Sequence, residues 1–339
     1  MRVLCLTTSF PCSPEDPSGA FVEELHSALL PFGIDSELVA LRHPPGALRS
    51  AAQGTPAERL ALVARAARAV LDVRSRRRPE AIVAHWIYTG WAARLAWPGV
   101  PVIGVAHGGD GRLRLALRLP APPLAGLVAV APWLGAAFEG RPHSLVCPMP
   151  VCTEPDHKDA PGAPRTSGGH GRRSSPAERA SLVTGRPRES VLRATFVGRD
   201  VPGKGLDILL HAVAGLQGRV ALTVVGSSGA QPGVRFLGPV PPSGVRAALA
   251  ASDVLCVPST VREGAPRVLA EAARVGCAVL ASAVGGIPDV VPAECLVAPN
   301  TPAAWRDALQ QRRLVVPPVL EGWPEVAERV AAVIRAARA

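Results

Sequence analysis

The chain has 339 residues, of which 48% are apolar but only 4% aromatic, and a formal net charge of +10. This length predicts about two domains. Their cores must be built mainly from Ala, Val and Leu, because so few aromatic residues are present. The positive charge favours anionic ligands. We do not expect nucleic-acid binding, since the sequence shows no basic patch with interspersed aromatic residues and no known nucleic-acid recognition motif.

The cysteines and the N-terminus bear on location. Seven cysteines are present, and they form no CxxC pair, which is typical of reduced, buried thiols. The opening segment "MRVLCLTTSFP" has too few apolar residues before Pro11 for a signal peptide. No apolar run reaches the length needed to span a membrane. We therefore expect a cytoplasmic protein, and its basic character leaves peripheral contact with the inner face of the membrane open.

Residues 1–150 alternate short apolar runs with amphipathic segments, which predicts a parallel sheet covered by helices. "RVLCLTT" reads as the first strand, and the helix "SGAFVEELHSALL" follows it with Ser18 as the expected cap. A capping box, Thr55 with Glu58, begins a second helix. "AIVAH", "PVIGVAH" and "GLVAVA" read as strands whose two faces are both buried. These elements predict an N-terminal Rossmann-like domain.

The periodicity fails over residues 151–190, which are rich in Pro, Gly, Ser and Arg and read as a linker. The alternation restarts over 191–315 with "RATFVGR", "VALTVVG", "VRFLG", "DVLCVPS" and "CAVLASA" as strands. This predicts a second α/β domain. The last segment, 316–339, contains the helical pattern "WPEVAERVAAVIRAARA". We expect that helix to pack back across the domains.

The stretch "GRDVPGKGLD", residues 198–207, contains Lys204, one of two lysines among 37 basic residues. A strand, "ATFVG", precedes it and a helix, "LDILLHAVAGL", follows it. This order places Arg199 and Lys204 at a strand end beside a helix N-terminus, where anions bind. A compact ammonium group suits a phosphate. The alternative is that lysine stands here by chance.

Two other classes of protein share parts of this pattern. Gly198 to Lys204 spell GxxxxGK, as in a P-loop, but Gly205 stands where the Ser or Thr that holds Mg²⁺ belongs. A P-loop-like nucleotide-binding protein is therefore the weaker interpretation. "HGGDG" is similar to the oxyanion loop of esterases, which also requires a GxSxG elbow. The chain has no such elbow.

The stretch "VPSTVREGAPRVLAEAARVGCAVLASAVGGIPDVV", residues 257–291, contains two glutamates, Glu263 and Glu271, with seven residues between them. Glu263 ends a loop after a strand. Pro266 marks the first turn of a helix that stops at Gly276. Glu271 falls within the otherwise apolar "VLAEAARV", so an ionised carboxylate there needs a partner. The structural alternative is a pair of surface acids on a helix.

This stretch resembles the donor-site signature of the retaining glycosyltransferases of family 4, in which a Glu, seven residues, Glu pattern follows "PS". "FVGRDVPGKGLDILLHA" resembles the second signature of that family, and "VAHGGD" is similar to its N-terminal His-Gly segment. The resemblance implies the GT-B fold, with two Rossmann-like parallel-sheet domains facing a central cleft and a C-terminal crossing helix. Sugar-nucleotide epimerases share this fold and are an alternative, although the paired glutamates favour transfer.

The resemblance also implies a function and roles for particular residues. It implies transfer of a sugar from a nucleoside diphosphate sugar to an unidentified acceptor, which could be a sugar, a lipid or another small molecule. Arg199 and Lys204 would hold the donor diphosphate, and Glu271 would hold the ribose hydroxyls. His107 and Glu263 would be the catalytic residues, with Glu263 orienting a hydroxyl of the sugar. Further donor contacts would come from the backbone at Gly264, Ala265, Pro266 and Arg267 and from a phosphate loop at Gly19.

The mechanism implied by the family is front-face transfer, in which the leaving diphosphate takes the proton of the acceptor. The two cationic side chains and the helix N-terminus at 264–267 would stabilise the growing charge of the diphosphate. For this reason we expect no metal and no cofactor. Double displacement would need a carboxylate on the far face of the sugar, and the sequence does not reveal one.

Overall fold

The computed structural model describes residues 1–7, 19–40, 68, 70–108, 122–137, 143–150, 190–216 and 218–338. The predicted linker at 151–190, apart from Ser190, lies outside the described residues. So do Ser18 and the capping box of Thr55 and Glu58.

The N-terminal domain contains a six-stranded sheet in the order β2-β1-β3-β4-β5-β6, in which every pairing is parallel. The order reverses between β1 and β3, which defines a topological switch point. The strands are β1 (Arg2–Thr7), β2 (Asp35–Ala40), β3 (Ala81–His85), β4 (Val102–Ala106), β5 (Gly126–Ala129) and β6 (Ser144–Val146). The helices include α1 (Ala20–Leu29), α2 (Gly90–Ala96) and α3 (Pro132–Ala136).

The C-terminal domain contains a second six-stranded parallel sheet, in the order β12-β11-β10-β7-β8-β9. This is the Rossmann order, and its switch point lies between β7 and β10. The strands are β7 (Leu192–Val197), β8 (Val220–Val225), β9 (Val234–Gly238), β10 (Val254–Val257), β11 (Ala278–Ser282) and β12 (Leu296–Val297). The helices are α4 (Leu206–Ala214), α5 (Pro242–Ala250), α6 (Arg267–Val275) and α7 (Pro302–Gln311).

The last helix, α8 (Trp323–Ala336), leaves the C-terminal domain and packs on the N-terminal one. Its residues Val326, Val330 and Ile334 are buried in the core of the N-terminal domain. Burial of this apolar stripe is what fixes the helix there. The predicted crossing helix is thus confirmed, together with the two facing Rossmann-like domains.

The central strands match the sequence prediction because they are almost entirely apolar. Every residue of β3, β4, β5, β10 and β11 is buried, as expected for parallel strands covered on both faces. The prediction missed β2, β6 and β12, which lie at or beside the edges of the sheets.

Two helix starts differ from the prediction. The N-cap of α1 is Gly19, in the left-handed conformation at φ 74° and without a side-chain cap, rather than Ser18. Pro266 is the N-cap of α6 and therefore precedes its first turn. The predicted stop at Gly276 is confirmed, since this residue is a left-handed C-cap at φ 69°.

Three general findings accompany the fold. Five cysteines among the described residues, Cys5, Cys147, Cys256, Cys277 and Cys295, are buried and form no disulfide bond. Within the described part of the chain, no helix has the length and apolar character needed to cross a bilayer. The same residues contain no cluster of three or more His, Cys, Asp or Glu suited to a metal ion.

Candidate active site

Lys204 and Glu263 lie on the two loops that flank the switch point of the C-terminal sheet. Lys204 follows β7, Glu263 follows β10, and the Lys204 Nζ atom lies 2.6 Å from Glu263 Oε2. The other carboxylate oxygen, Oε1, accepts a 2.5 Å hydrogen bond from Ser259 Oγ. Both oxygens of Glu263 are therefore engaged by donors. The sequence did not predict that these two site residues contact each other.

Glycines allow the two loops to approach each other. Gly205 has φ 71°, and a Cβ at this position would clash with the carbonyl oxygen of Pro258. A Cβ at Gly203 would likewise clash with the Val261 side chain. The Gly203 carbonyl accepts a 2.9 Å hydrogen bond from the Thr260 amide. Only glycine satisfies both the positive φ and the close contact at position 205. The "GKG" of the motif thus brings Lys204 to the β10 loop.

A set of hydrogen bonds fixes the loop that carries Ser259. The Asn300 amide donates to the carbonyls of Pro258, at 3.1 Å, and Ser259, at 3.0 Å. Ser282 Oγ donates to the same Ser259 carbonyl at 2.6 Å. Sequence reasoning missed these residues. Ser259 lies within the "PS" of the family signature, whereas no pattern pointed to Asn300.

Arg199 lies on the same loop as Lys204 and is exposed. Within the described part of the chain, no hydrogen bond or ion pair holds its guanidinium group. The side chain therefore remains able to contact a ligand. Its predicted contact with a diphosphate stays a prediction.

The start of α6 faces the N-terminal domain. Helix α6 begins at Arg267, directly after Gly264, Ala265 and Pro266, and its first-turn amides are anion donors. The side chain of Arg267 points elsewhere, because its Nη2 pairs with Glu24 Oε2 of α1 at 2.6 Å. Glu24 Oε2 also accepts a 2.8 Å bond from Trp323 Nε1 of α8. The donor contacts expected from the backbone at 264–267 stay predictions. The Arg267 side chain, by contrast, connects the C-terminal domain to the N-terminal domain.

Glu271 lies one turn after Arg267 on α6 and is partly buried. Burial raises the pKa of its carboxyl group, and the charges of Arg267 and Arg246 oppose that rise. Within the described residues, no hydrogen bond reaches this carboxylate. The sequence indicated that this carboxylate needs a partner. Among the described residues, that partner is the charge of two nearby arginines, without a hydrogen bond to either.

The loops of the two domains meet across the cleft at a few small residues. A Cβ on Gly108, after β4, would lie 2.7 Å from the Gly264 amide nitrogen. A Cβ on Gly264 would clash with Val130, after β5. Trp133 Nε1 donates a 3.0 Å bond to the Glu263 carbonyl. These contacts bring the carboxyl ends of the N-terminal strands directly to the Glu263 loop.

His107 follows β4 and is buried beside a second histidine. Its Nε2 lies 3.1 Å from Nδ1 of His85, which ends β3. The rings of Phe21 and Trp86 cover it, each with its centroid 4.8 Å from that of His107. Burial, and then the neighbouring His85, hold the pKa of His107 well below its usual value. His107 is therefore a neutral imidazole at pH 7, suited to hydrogen bonding rather than to carrying charge.

Gly19 begins α1 with a φ of 74°. Glu24, five residues further on, contacts Arg267 at the start of α6. Helices α1 and α6 therefore approach each other across the cleft. A phosphate contact at Gly19 remains a prediction.

The chain matches known proteins most clearly in its second half. Residues 192–312 match the family model "Glycosyl transferases group 1". The curated relatives include the D-inositol 3-phosphate glycosyltransferase of Corynebacterium glutamicum, 35% identical over 39% of this chain and 37% of the relative. They also include the phosphatidyl-myo-inositol mannosyltransferase of Mycobacterium tuberculosis, 38% identical over 30% of this chain and 31% of the relative. The chain thus spans between 31% and 37% of the length of these relatives.

Solved structures match over the whole chain. The Anabaena protein HepE in complex with UDP-glucose has 17% identity and a TM-score of 0.59, and the alignment covers 100% of this chain and 97% of that one. Sucrose-phosphate synthase from Thermosynechococcus elongatus has 16% identity and a TM-score of 0.63, covering 99% of this chain and 96% of that one. At these identities the likeness concerns the fold. Together with the family match, it supports the resemblance found in the sequence: the chain has the GT-B fold, and its residues 192–312 match the group 1 glycosyltransferases.

Proposed function

We propose that this chain is a retaining glycosyltransferase that moves a sugar from a nucleoside diphosphate sugar to an acceptor hydroxyl group. The observation that carries the proposal is the meeting of three features at one switch point. These are the cationic loop of Arg199 and Lys204, the N-terminus of α6, and the carboxylate of Glu271 one turn further along. A diphosphate needs the first two, and a ribose diol suits a carboxylate acceptor.

The donor preference is supported by similar structures. The structure of HepE is a complex with UDP-glucose, and another similar structure, from E. coli, contains UDP-2-fluoro glucose. We propose a nucleoside diphosphate hexose as the donor on this ground. Two of the relatives are a D-inositol 3-phosphate glycosyltransferase and a phosphatidyl-myo-inositol mannosyltransferase. A phosphorylated inositol is therefore the first acceptor that we would test. The comparisons give no support to the epimerase or P-loop alternatives.

In the proposed front-face reaction, the bond between the anomeric carbon and the diphosphate oxygen breaks while the acceptor oxygen attacks from the same face. The acceptor proton passes to an oxygen of the departing diphosphate. Arg199, Lys204 and the first amides of α6 stabilise the charge that develops there. The amides of α6 are fixed by the helix before the reaction, so they need little reorganisation at the moment of transfer.

Glu263 and His107 complete the proposed site. Glu263 holds the Lys204 ammonium at 2.6 Å, and a shift of this pair toward a bound donor would bring the carboxylate to a sugar hydroxyl. His107, being neutral, would donate a hydrogen bond to the sugar rather than a proton. The contact of Gly108 and Trp133 with the Glu263 loop would exclude water from the donor and so limit its hydrolysis.

Charge compensation by two side chains leads us to propose that the reaction needs no metal ion. Transfer measured with and without EDTA tests this point, and complete loss with EDTA that Mg²⁺ restores would contradict it. A cytoplasmic location and peripheral contact with a membrane likewise remain proposals.

Two measurements test the function. Thermal shift with a panel of sugar nucleotides should show stabilisation by at least one of them, because a ligand that binds only the folded state raises stability. With that donor and phosphorylated inositol, proton NMR of the product should show the same anomeric configuration as the donor. Stabilisation by ATP and Mg²⁺ alone would contradict the proposal, as would a product of inverted configuration.

A further inference from the structure

The pair formed by His85 and His107 has a geometry that defines its hydrogen bond. The ring planes differ by 12°, and the ring centroids are 5.4 Å apart. The two nitrogens, His85 Nδ1 and His107 Nε2, are 3.1 Å apart. The separation of the ring centroids exceeds the separation of the two nitrogens by about twice the distance from the centre of an imidazole ring to one of its nitrogens. The line between the nitrogens therefore passes close to both ring centres. The rings meet edge to edge rather than face to face, as an in-plane hydrogen bond requires.

Both imidazoles are neutral, because burial lowers the pKa of His85 to about 3 and that of His107 well below its usual value. A neutral imidazole carries one N–H and one bare nitrogen. The bond between the rings therefore uses either the Nδ1–H of His85 or the Nε2–H of His107. Each choice fixes the tautomers of both residues.

The second nitrogen of His85 distinguishes the two arrangements. His85 is fully buried, and its Nε2 has no hydrogen-bond partner among the described residues. If His107 were the donor, His85 Nε2 would carry a buried N–H with no acceptor. If His85 is the donor, the same atom is only a bare acceptor. A buried N–H without a partner is the rarer and more costly condition.

We propose that His85 is a positioning residue that donates its Nδ1–H to His107 and so fixes His107 in the Nδ1–H tautomer. This proposal rests on the proposed function for its catalytic consequence. In this tautomer, the Nδ1 side of His107 is a hydrogen-bond donor, the form suited to holding a sugar hydroxyl. The aromatic rings of Phe21 and Trp86 limit the rotation of the His107 ring, while His85 sets its polarity.

Nothing in the sequence marked His85, which ends the strand "AIVAH" and reads as part of a buried core. Its placement follows from the sheet, because β3 and β4 are adjacent and His85 is paired in register with Val105. The carboxyl ends of these strands therefore bring residues 85 and 107 together. Thr89 Oγ1 donates a 3.0 Å bond to the His85 carbonyl and helps to hold the strand end.

Two substitutions separate a positioning role from simple packing. In His85→Asn, the side-chain NH₂ group takes approximately the place of the ring Nδ1 and can still donate to His107. In His85→Phe, the ring is kept but the donor is lost. We expect His85→Phe to lower kcat by about 10- to 100-fold and His85→Asn to recover most of that loss. The affinity for a nucleoside diphosphate should stay within about twofold in both variants, because the diphosphate site lies on the other domain.

Nitrogen-15 NMR of the histidines gives a readout that does not depend on catalysis, and His107→Phe assigns the signals. In the wild type and in His85→Asn, His107 should carry its proton on Nδ1. In His85→Phe, its proton should shift wholly or partly to Nε2. A wild-type His107 protonated on Nε2 would overturn the proposal, as would an unchanged tautomer in folded His85→Phe. If no donor supports transfer, the proposed function fails while the NMR result still decides the tautomer.

Discussion

Lys204 and Glu263 form a 2.6 Å ion pair at the switch point of the C-terminal sheet, although they are 59 residues apart in the chain. The side chain of Glu263 is 15% exposed and that of Lys204 is 34% exposed. The charge of the lysine is thus partly compensated before any ligand binds. A diphosphate that reaches Lys204 must share this ammonium group with Glu263 or displace the carboxylate.

Glu263→Gln should separate the two roles of this residue. The amide can still accept a hydrogen bond from Ser259 but no longer neutralises Lys204, so affinity for a bare nucleoside diphosphate should be unchanged or higher. We expect kcat to fall by about 10- to 100-fold, because the reacting sugar loses its orientation. Calorimetric titration and steady-state kinetics measure the two effects. A loss of diphosphate affinity without a loss of kcat would contradict the assignment.

The Glu271→Gln variant should bind a nucleoside diphosphate less tightly than the wild type and yet have a higher free energy of unfolding at neutral pH. A carboxyl group whose pKa is raised by folding destabilises the folded state once it is ionised. The penalty is complete above the raised folded pKa and absent below the unfolded value of about 4.3. The free energy of unfolding in urea should therefore favour the Gln variant at pH 7, and this advantage should disappear as the pH falls toward about 4.

The affinity of the same variant for a nucleoside diphosphate should fall about tenfold, because a charge-assisted bond to the ribose is lost. If Glu271 is instead a surface acid with no role in binding, calorimetry will give the wild-type affinity.

Glu24→Gln should weaken the connection between the domains. Glu24 and Arg267 are 18% and 25% exposed and bridge α1 and α6. Loss of this partly buried ion pair should lower the free energy of unfolding by about 1 to 3 kcal/mol. The control is Glu321→Gln, since Glu321 and Arg329 form a pair that is 54% and 40% exposed. That control should cost less than about 1 kcal/mol. Equal losses in urea unfolding would show that the bridge has no special role.

Gly108→Ala should block the close approach of the two domains. Its Cβ would lie 2.7 Å from the backbone nitrogen of Gly264, and backbone cannot move aside as a flexible side chain can. We expect kcat to fall by at least about 100-fold with diphosphate affinity little changed. Gly99→Ala is the matched control, because the nearest atom to its Cβ is Arg78 Nη2 at 3.7 Å. Wild-type kinetics for Gly108→Ala would show that this contact does not matter for transfer.

The sequence predicted the central strands and the last helix because their burial leaves a direct apolar pattern. It did not predict β2, β6 and β12, which lie at sheet edges where pairing depends on neighbouring strands. The strand β2, "DSELVA", has only six residues, of which Ser36 and Val39 are buried, and it shows no regular alternation. Such a short signal is not distinct from that of a loop.

The candidate site was predictable where its chemistry is local. Lys204 and Glu263 each lie in a motif that combines a strand end, glycines and a helix start. Contacts that depend on folding were not predictable, such as the bond between Glu24 and Arg267, which are 243 residues apart. The role of His85 was hidden for the same reason. A histidine at the end of an apolar strand reveals its partner only when the adjacent strand is known.

The most direct test is calorimetric titration of nucleoside diphosphates into the wild type, Lys204→Met and Lys204→Arg. We predict that at least one diphosphate binds the wild type and that Lys204→Met loses about 10- to 100-fold in affinity, in line with the loss of one charge-assisted contact. Lys204→Arg should restore only part of this affinity, because a guanidinium fork does not replace a compact ammonium. Absence of binding to any nucleoside diphosphate, or equal affinity in all three proteins, would contradict the proposal that this loop holds the donor.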